Sequence, residues 1–172
     1  KIMLSRYYGA NDEIGAKKTV STAVISSFLL GIIIAIIGVI LAPVFVKMTN
    51  SPAECAEGAT LYIRLYVGVA PAIMVYNFGS AILRSLGDSQ RPLYYIIFCG
   101  LLNVVLNIIL CFVLEQKVAA VAIATASSHI LGAILVMRRL TKLDGIGRIE
   151  FKKLKWDTTT FGKILRYGFP VA

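Results

Sequence analysis

Val20–Val46 reads VSTAVISSFLLGIIIAIIGVILAPVFV, 27 residues without a charged side chain. A helix rises about 1.5 Å per residue, so roughly 20 residues cross a hydrocarbon layer of about 30 Å. The run is long enough to span a bilayer. Three more stretches behave alike: Leu65–Leu83, which reaches back to Ala59 once Arg64 is admitted, Pro92–Leu114 and Val118–Met137. Barrel strands are about half this length and alternate apolar with polar, and these runs do neither. A helix also satisfies its own backbone in lipid. The chain is 58% hydrophobic and 16% charged. Soluble domains carry about 45–50% apolar and 25% charged residues, which excludes a soluble globule or a disordered tail. The fold class read from these runs is an all-α membrane protein, a polytopic transmembrane helix bundle.

The connections are short and rich in turn formers: Thr49-Asn50-Ser51-Pro52, Gly87-Asp88-Ser89 and Glu115-Gln116-Lys117. Short links make neighbouring helices antiparallel, so chain ends and loops alternate sides. Fifteen of the 18 Lys and Arg then fall on one side, and only Lys47, Arg64 and Lys117 on the other. The positive-inside rule assigns the rich side to the cytoplasm: residues 1–19, 84–91 and 138–167. The net charge of +9 therefore reads as membrane topology against anionic headgroups, not as a nucleic-acid surface. Arg138 to Lys155 form a basic linker. From Asp157 or Thr158, which can cap a helix, Phe161, Ile164, Leu165 and Phe169 share one face and Lys163 and Arg166 another. That pattern fits a short amphipathic helix in the interface. The chain opens on Lys1 and closes on an apolar start at Gly168–Ala172, as an excerpt of a longer protein would.

Polar groups inside the apolar runs are few. Asn103 and Asn107, four residues apart, share a helix face. They serve either as helix–helix glue, worth about 0.6 kcal/mol on average, or as a site. Thr125, Ser127 and Ser128 can bond back to the i−4 carbonyl. His129 is either a packing residue or a step in a proton path. Pro71, after Gly68, removes a backbone donor and is expected to bend its helix near Val67. Arg64, about two turns earlier, either snorkels to headgroups or lines a vestibule. Gly31, Ala35 and Gly38, and Ala119, Ala122 and Ala126, form small-residue faces for close packing. Cys55, Cys99 and Cys111 lack ligand spacing and read as plain buried thiols. No catalytic motif is present and every Asp and Glu lies in a loop or at a helix end, so no enzyme is read here.

Four segments together resemble one family. Leu4–Asp12 (LSRYYGAND) is similar to the Gly-Ala turn after the second helix of the MATE (multidrug and toxic compound extrusion) family. Ile82–Pro92 (ILRSLGDSQRP) resembles its "LRxxGDxxxP" loop, Asn103–Asn107 (NVVLN) its "NxxLD" motif, and Val118–Thr125 (VAAVAIAT) its "GVxGAAxAT" motif. The resemblance implies helices three to six of twelve, with residues 1–141 in the N-terminal lobe (spans about 20–46, 59–86, 92–114 and 118–140). Residues 142–167 would be the cytoplasmic linker and 168–172 the start of a C-lobe span. It implies a multi-pass plasma-membrane antiporter without a cofactor. Such a protein exports small organic, often cationic, compounds against Na⁺ or H⁺, with the lipid bilayer and the remaining helices of the same chain as its partners. By the same resemblance Asn103, Asn107 and Thr125 bind the coupling cation, and neutral oxygens suit a hard ion such as Na⁺. Two departures stand out. Asn107 replaces the family's Asp, which removes a charge from the site and predicts either weaker ion binding or coupling that relies on the family's other site carboxylate, an Asp of the first helix that lies outside this sequence. Lys117, Ala120 and Val121 replace two Gly and an Ala.

Two alternatives belong to other classes. A lipid-linked oligosaccharide flippase of the same superfamily needs a cationic cavity, but these spans hold only Arg64 and His129. A non-transporting membrane scaffold would show no ion-stimulated transport.

Overall fold

The computed structural model describes residues 2–49, 52–143, 148–149 and 155–168. Seven helices make up the described chain: α1 (Ile2–Gly9), α2 (Glu13–Met48), α3 (Ala53–Gly68), α4 (Ala70–Ser85), α5 (Gln90–Val113), α6 (Lys117–Thr141) and α7 (Thr158–Gly168). Helices α2, α5 and α6 are each long and apolar enough to cross a bilayer, and α3 with α4 make a fourth, bent path. The protein is a helical, multi-pass membrane protein.

α2 starts where a local signal tells it to. Asn11 takes a left-handed turn (φ 54), and the Asp12 side chain accepts the Gly15 N–H at 2.9 Å, filling one of the donors left open at a helix start. A Cβ at Gly15 would lie 2.9 Å from the Tyr7 ring, so glycine lets α1 fold back against α2. The helix then runs for 36 residues, about 54 Å at 1.5 Å per residue. It extends well beyond the uncharged stretch at its N-terminal end.

The turn from α4 to α5 is a Schellman motif. The Asp88 N–H reaches the Leu83 carbonyl at 3.0 Å, and the Gly87 N–H the Arg84 carbonyl at 3.4 Å. The motif needs a left-handed residue, and Gly87 supplies it (φ 88). The Asp88 carboxylate then faces Arg91 at 3.4 Å and Arg139 at 3.5 Å. It thereby ties the start of α5 to the end of α6.

The bend expected at Pro71 is present and takes the form of a break. α3 ends at Gly68, α4 begins at Ala70, and their axes differ by 41° across Val69. Pro71 sits in the first turn of α4, where its missing N–H costs nothing. It thus starts a new helix rather than kinking an old one. The break lies against α2. A Cβ at Gly31 would overlap the Pro71 backbone, and one at Gly38 would overlap the Val67 side chain. Gly31 is buried.

The buried core gathers at the charged end of the bundle: Leu4, Ala16, Val20, Ile82, Leu83, Val136, Leu140 and Ile149. α5 packs chiefly on α6, and Pro92 is its one buried residue. Because α5 is covered on one side only, Cys99 and Cys111 are half-buried rather than enclosed, and Cys55 on α3 is exposed. Lys117 donates to the Cys111 carbonyl and, at 3.1 Å, to that of Leu114. The lysine that departs from the family pattern thus caps the C-terminal carbonyls of α5.

α7 rests on α2 and α1. The Asp157 N–H donates to Thr22 Oγ1 and Trp156 Nε1 donates to Ser26 Oγ, both at 3.3 Å. Within α7, Phe161 and Ile164 are half-buried while Lys163 and Arg166 are exposed. Leu165 is 51% exposed. Phe169 and the apolar start that follows Gly168 lie outside the described residues, as do Lys152 and Lys153 of the linker.

Candidate functional site

Asn103 and Asn107 stand one turn apart on the face of α5 that meets α6. Asn107 Nδ2 donates to Asn103 Oδ1 at 3.0 Å, and Asn103 Nδ2 donates to Thr125 Oγ1 at 3.4 Å. The Thr125 hydroxyl donates in turn to the Val121 carbonyl at 2.9 Å, the i−4 bond open to a helical threonine. Every donor in this relay points the same way, from α5 into α6. One acceptor is left over: Asn107 Oδ1 is buried and has no hydrogen-bond partner among the described residues. A buried oxygen without a donor costs about 1–3 kcal/mol, and a cation placed beside it would remove that cost.

The relay opens on a cavity of ≈ 330 Å³ between α4, α5 and α6, which Asn103, Thr125, Ser128 and His129 help to line. Ser128 donates to the Ala124 carbonyl at 2.9 Å. The His129 ring meets Tyr66 edge-on, with centroids 6.1 Å apart, so α3 closes against α6 at this level. No Asp, Glu, Lys or Arg lines this cavity. Among the described residues no group of three or more His, Cys, Asp or Glu stands together. The described lining therefore offers a cation neutral oxygens only.

Asn77 and Tyr76 line the same cavity, and sequence reasoning passed over both. The criterion that singled out Asn103, an amide inside an apolar run, applies equally to Asn77. Tyr76 donates to the Pro92 carbonyl at 2.9 Å, fixing α4 against the start of α5. Pro71 lies apart from the relay, on a wider apolar groove of ≈ 880 Å³ bounded by α2, α4 and α6. Arg64 is exposed on α3 and lines neither space.

The family model MatE matches residues 1–109. The chain belongs to the MatE family. It is 27% identical over 180 residues to the probable multidrug resistance protein YoeA of Bacillus subtilis (strain 168), a match covering 99% of this chain and 38% of that protein. To the multidrug export protein MepA of Staphylococcus haemolyticus (strain JCSC1435) it is 24% identical, covering 97% and 37%. The chain thus spans under two fifths of the length of these relatives. Among solved structures, it superposes on an inward-facing multidrug resistance MATE family transporter with a TM-score of 0.89 and 28% identity, covering 98% of this chain and 39% of that one. An outward-facing transporter of the family gives 0.86 at 28% identity, covering 98% and 38%. A MatE helix bundle therefore carries the Asn–Asn–Thr relay.

Proposed function

We propose that this chain is the N-terminal lobe of a MATE antiporter, which exports small organic compounds, often cationic, by admitting Na⁺ or H⁺. Residues 1–141 form the lobe, 142–167 the cytoplasmic linker, and 168–172 lead into the second lobe. Residues 1–19, 84–91 and 138–167 face the cytoplasm. Transport alternates access between the two lobes. The likeness of the chain to both inward-facing and outward-facing relatives supports a lobe that keeps its overall packing while access alternates.

The observation that carries the proposal is the unpartnered Asn107 Oδ1 at the end of the relay. Asn103, Asn107 and Thr125 offer Na⁺ side-chain oxygens only, hard donors without charge, and none of the three carries a coupling proton. Asn103 and Thr125 also border the α4–α5–α6 cavity, so ion occupancy and the shape of that cavity are linked through the same two residues. Pro71 and the break at Val69 provide a joint, and His129 borders the cavity. The uncharged lining does not favour a pyrophosphate-bearing flippase substrate.

The test uses the full-length protein in proteoliposomes, with Na⁺ and H⁺ gradients imposed separately and efflux of a cationic dye as readout. Asn103→Ala combined with Thr125→Ala is expected to abolish stimulation by the coupling ion. Full stimulation in the double variant would overturn the site.

A further inference from the structure

A recess of ≈ 410 Å³ lies at the charged end of the bundle, between the first turns of α2 and the segment leading into α7. Lys17, Lys18, Arg148 and Lys155 bring four cations to it. Among the described residues two carboxylates oppose them. Asp157 lines the recess but accepts the Thr160 hydroxyl at the start of α7. Glu13 pairs with Lys17 at 3.8 Å with both side chains more than half exposed, a contact of little worth in water. The balance remains positive.

The walls are anchored. Ile149 is 3% exposed within the core, and its N–H donates to the Leu140 carbonyl at 3.0 Å, which anchors the backbone next to Arg148. The bonds from Trp156 and Asp157 to Ser26 and Thr22 hold the opposite wall.

Depth in the membrane identifies the ligand. Lys17 and Lys18 lie within one turn of Val20, where the uncharged stretch of α2 begins, which is the level of headgroup phosphates. Trp156 is 49% exposed at the rim, and tryptophan concentrates at that same level. Ser21, another lining residue, is followed at helical spacing by Ile25 and Phe28. Those two line the apolar groove over Pro71. One face of α2 therefore carries a basic recess and, directly beneath it, an apolar channel. A free phosphate would use the first alone, whereas a phospholipid would use both.

We propose that this recess binds the phosphate of an anionic phospholipid whose acyl chain runs along Ile25 and Phe28. Lys18 and Lys155 supply much of the selectivity, since each cation near an anionic surface contributes about fivefold.

The experiment measures quenching of Trp156 in the full-length protein in nanodiscs, isolated as the difference from Trp156→Phe. The probes are phosphatidylglycerol or phosphatidylcholine dibrominated near the headgroup, at equal mole fraction. Phosphatidylglycerol is expected to quench at least about threefold more strongly. Lys18→Gln with Lys155→Gln should bring the two lipids to parity, and Lys18→Arg with Lys155→Arg should keep the preference, which separates charge from folding. Equal quenching in the unaltered protein, or an undiminished preference in the double Gln variant, overturns the proposal. Loss of the preference on adding millimolar inorganic phosphate at constant ionic strength also overturns it, because the recess would then be a soluble-anion site.

Discussion

Asn107 donates to Asn103 across one turn of α5 at 3.0 Å, and its own amide oxygen is left buried without a donor. The pair is polar, oriented and uncharged. That combination separates ion affinity from ion charge, because a side chain of nearly the same shape can restore the charge.

Asn107→Asp should raise affinity for Na⁺ by at least about tenfold, since a carboxylate beside a monovalent cation in a poorly solvated site gains more than one pKa unit's worth of attraction. Proton and cation would then compete for the same oxygen, so the affinity should fall as pH is lowered, a dependence the unaltered pair lacks. Calorimetric titration of Na⁺ at two pH values reads both effects. An affinity equal to that of the unaltered protein would mean that this oxygen does not face the ion.

Glycines on different helices should respond with opposite signs. Gly31→Ala drives a methyl into the Pro71 backbone, and overpacking of this kind costs about 1–3 kcal/mol. Gly100→Ala meets nothing within 4 Å, and alanine in place of a helical glycine gains up to about 1 kcal/mol. Thermal unfolding of the purified protein should show a lowered Tm for the first and an unchanged or raised Tm for the second. Equal effects would remove the close crossing of α2 and α4.

α7 should let go only in acid. The hydroxyl of Thr160 holds the Asp157 carboxyl below its ordinary value, helped by the backbone N–H groups of Thr159 and Thr160 and by Lys18. A depressed carboxylate stabilises the folded state above its unfolded value of about 4. That contribution is lost as pH falls through the lower, folded value. Hydrogen exchange of the α7 amides should be flat from pH 7 down to about 4, after correction for intrinsic rates, and should rise below that. Asp157→Asn should abolish the acid step, and Thr160→Val should move it upward. A step near neutral pH would contradict the assignment.

How far the sequence is informative depends on the kind of signal. Spans are legible because hydrocarbon imposes a length and excludes charge, and both are written plainly in Val20–Val46 and Pro92–Leu114. The start of α7 is legible because Asp157 is a capping type placed just before an amphipathic period. The pairing of Asn103 with Asn107 follows from a spacing of four. Its link to Thr125 does not, since no spacing within one helix states which neighbour it meets. Pro71 illustrates the same limit: proline announces an interruption, but whether the helix bends or restarts depends on what lies alongside. Here Gly31 lets α2 approach closely enough to hold a full break. Thr22 and Ser26 read as ordinary polar residues of an apolar helix until Trp156 and Asp157, more than a hundred positions later, return to meet them.

The crossing of α2 with the Val69 break has a mechanical consequence. Two notches seven residues apart, at Gly31 and Gly38, receive Pro71 and Val67 on either side of the joint. Translation along α2 would lift both out of their notches towards the positions three and four residues away on the same face, Ile34 and Ala35 between the two glycines. A turn about the joint displaces Pro71 and Val67 least, because both lie within two residues of it. The broken span is thus pinned at two points close to its axle, an arrangement that resists sliding more than swivelling.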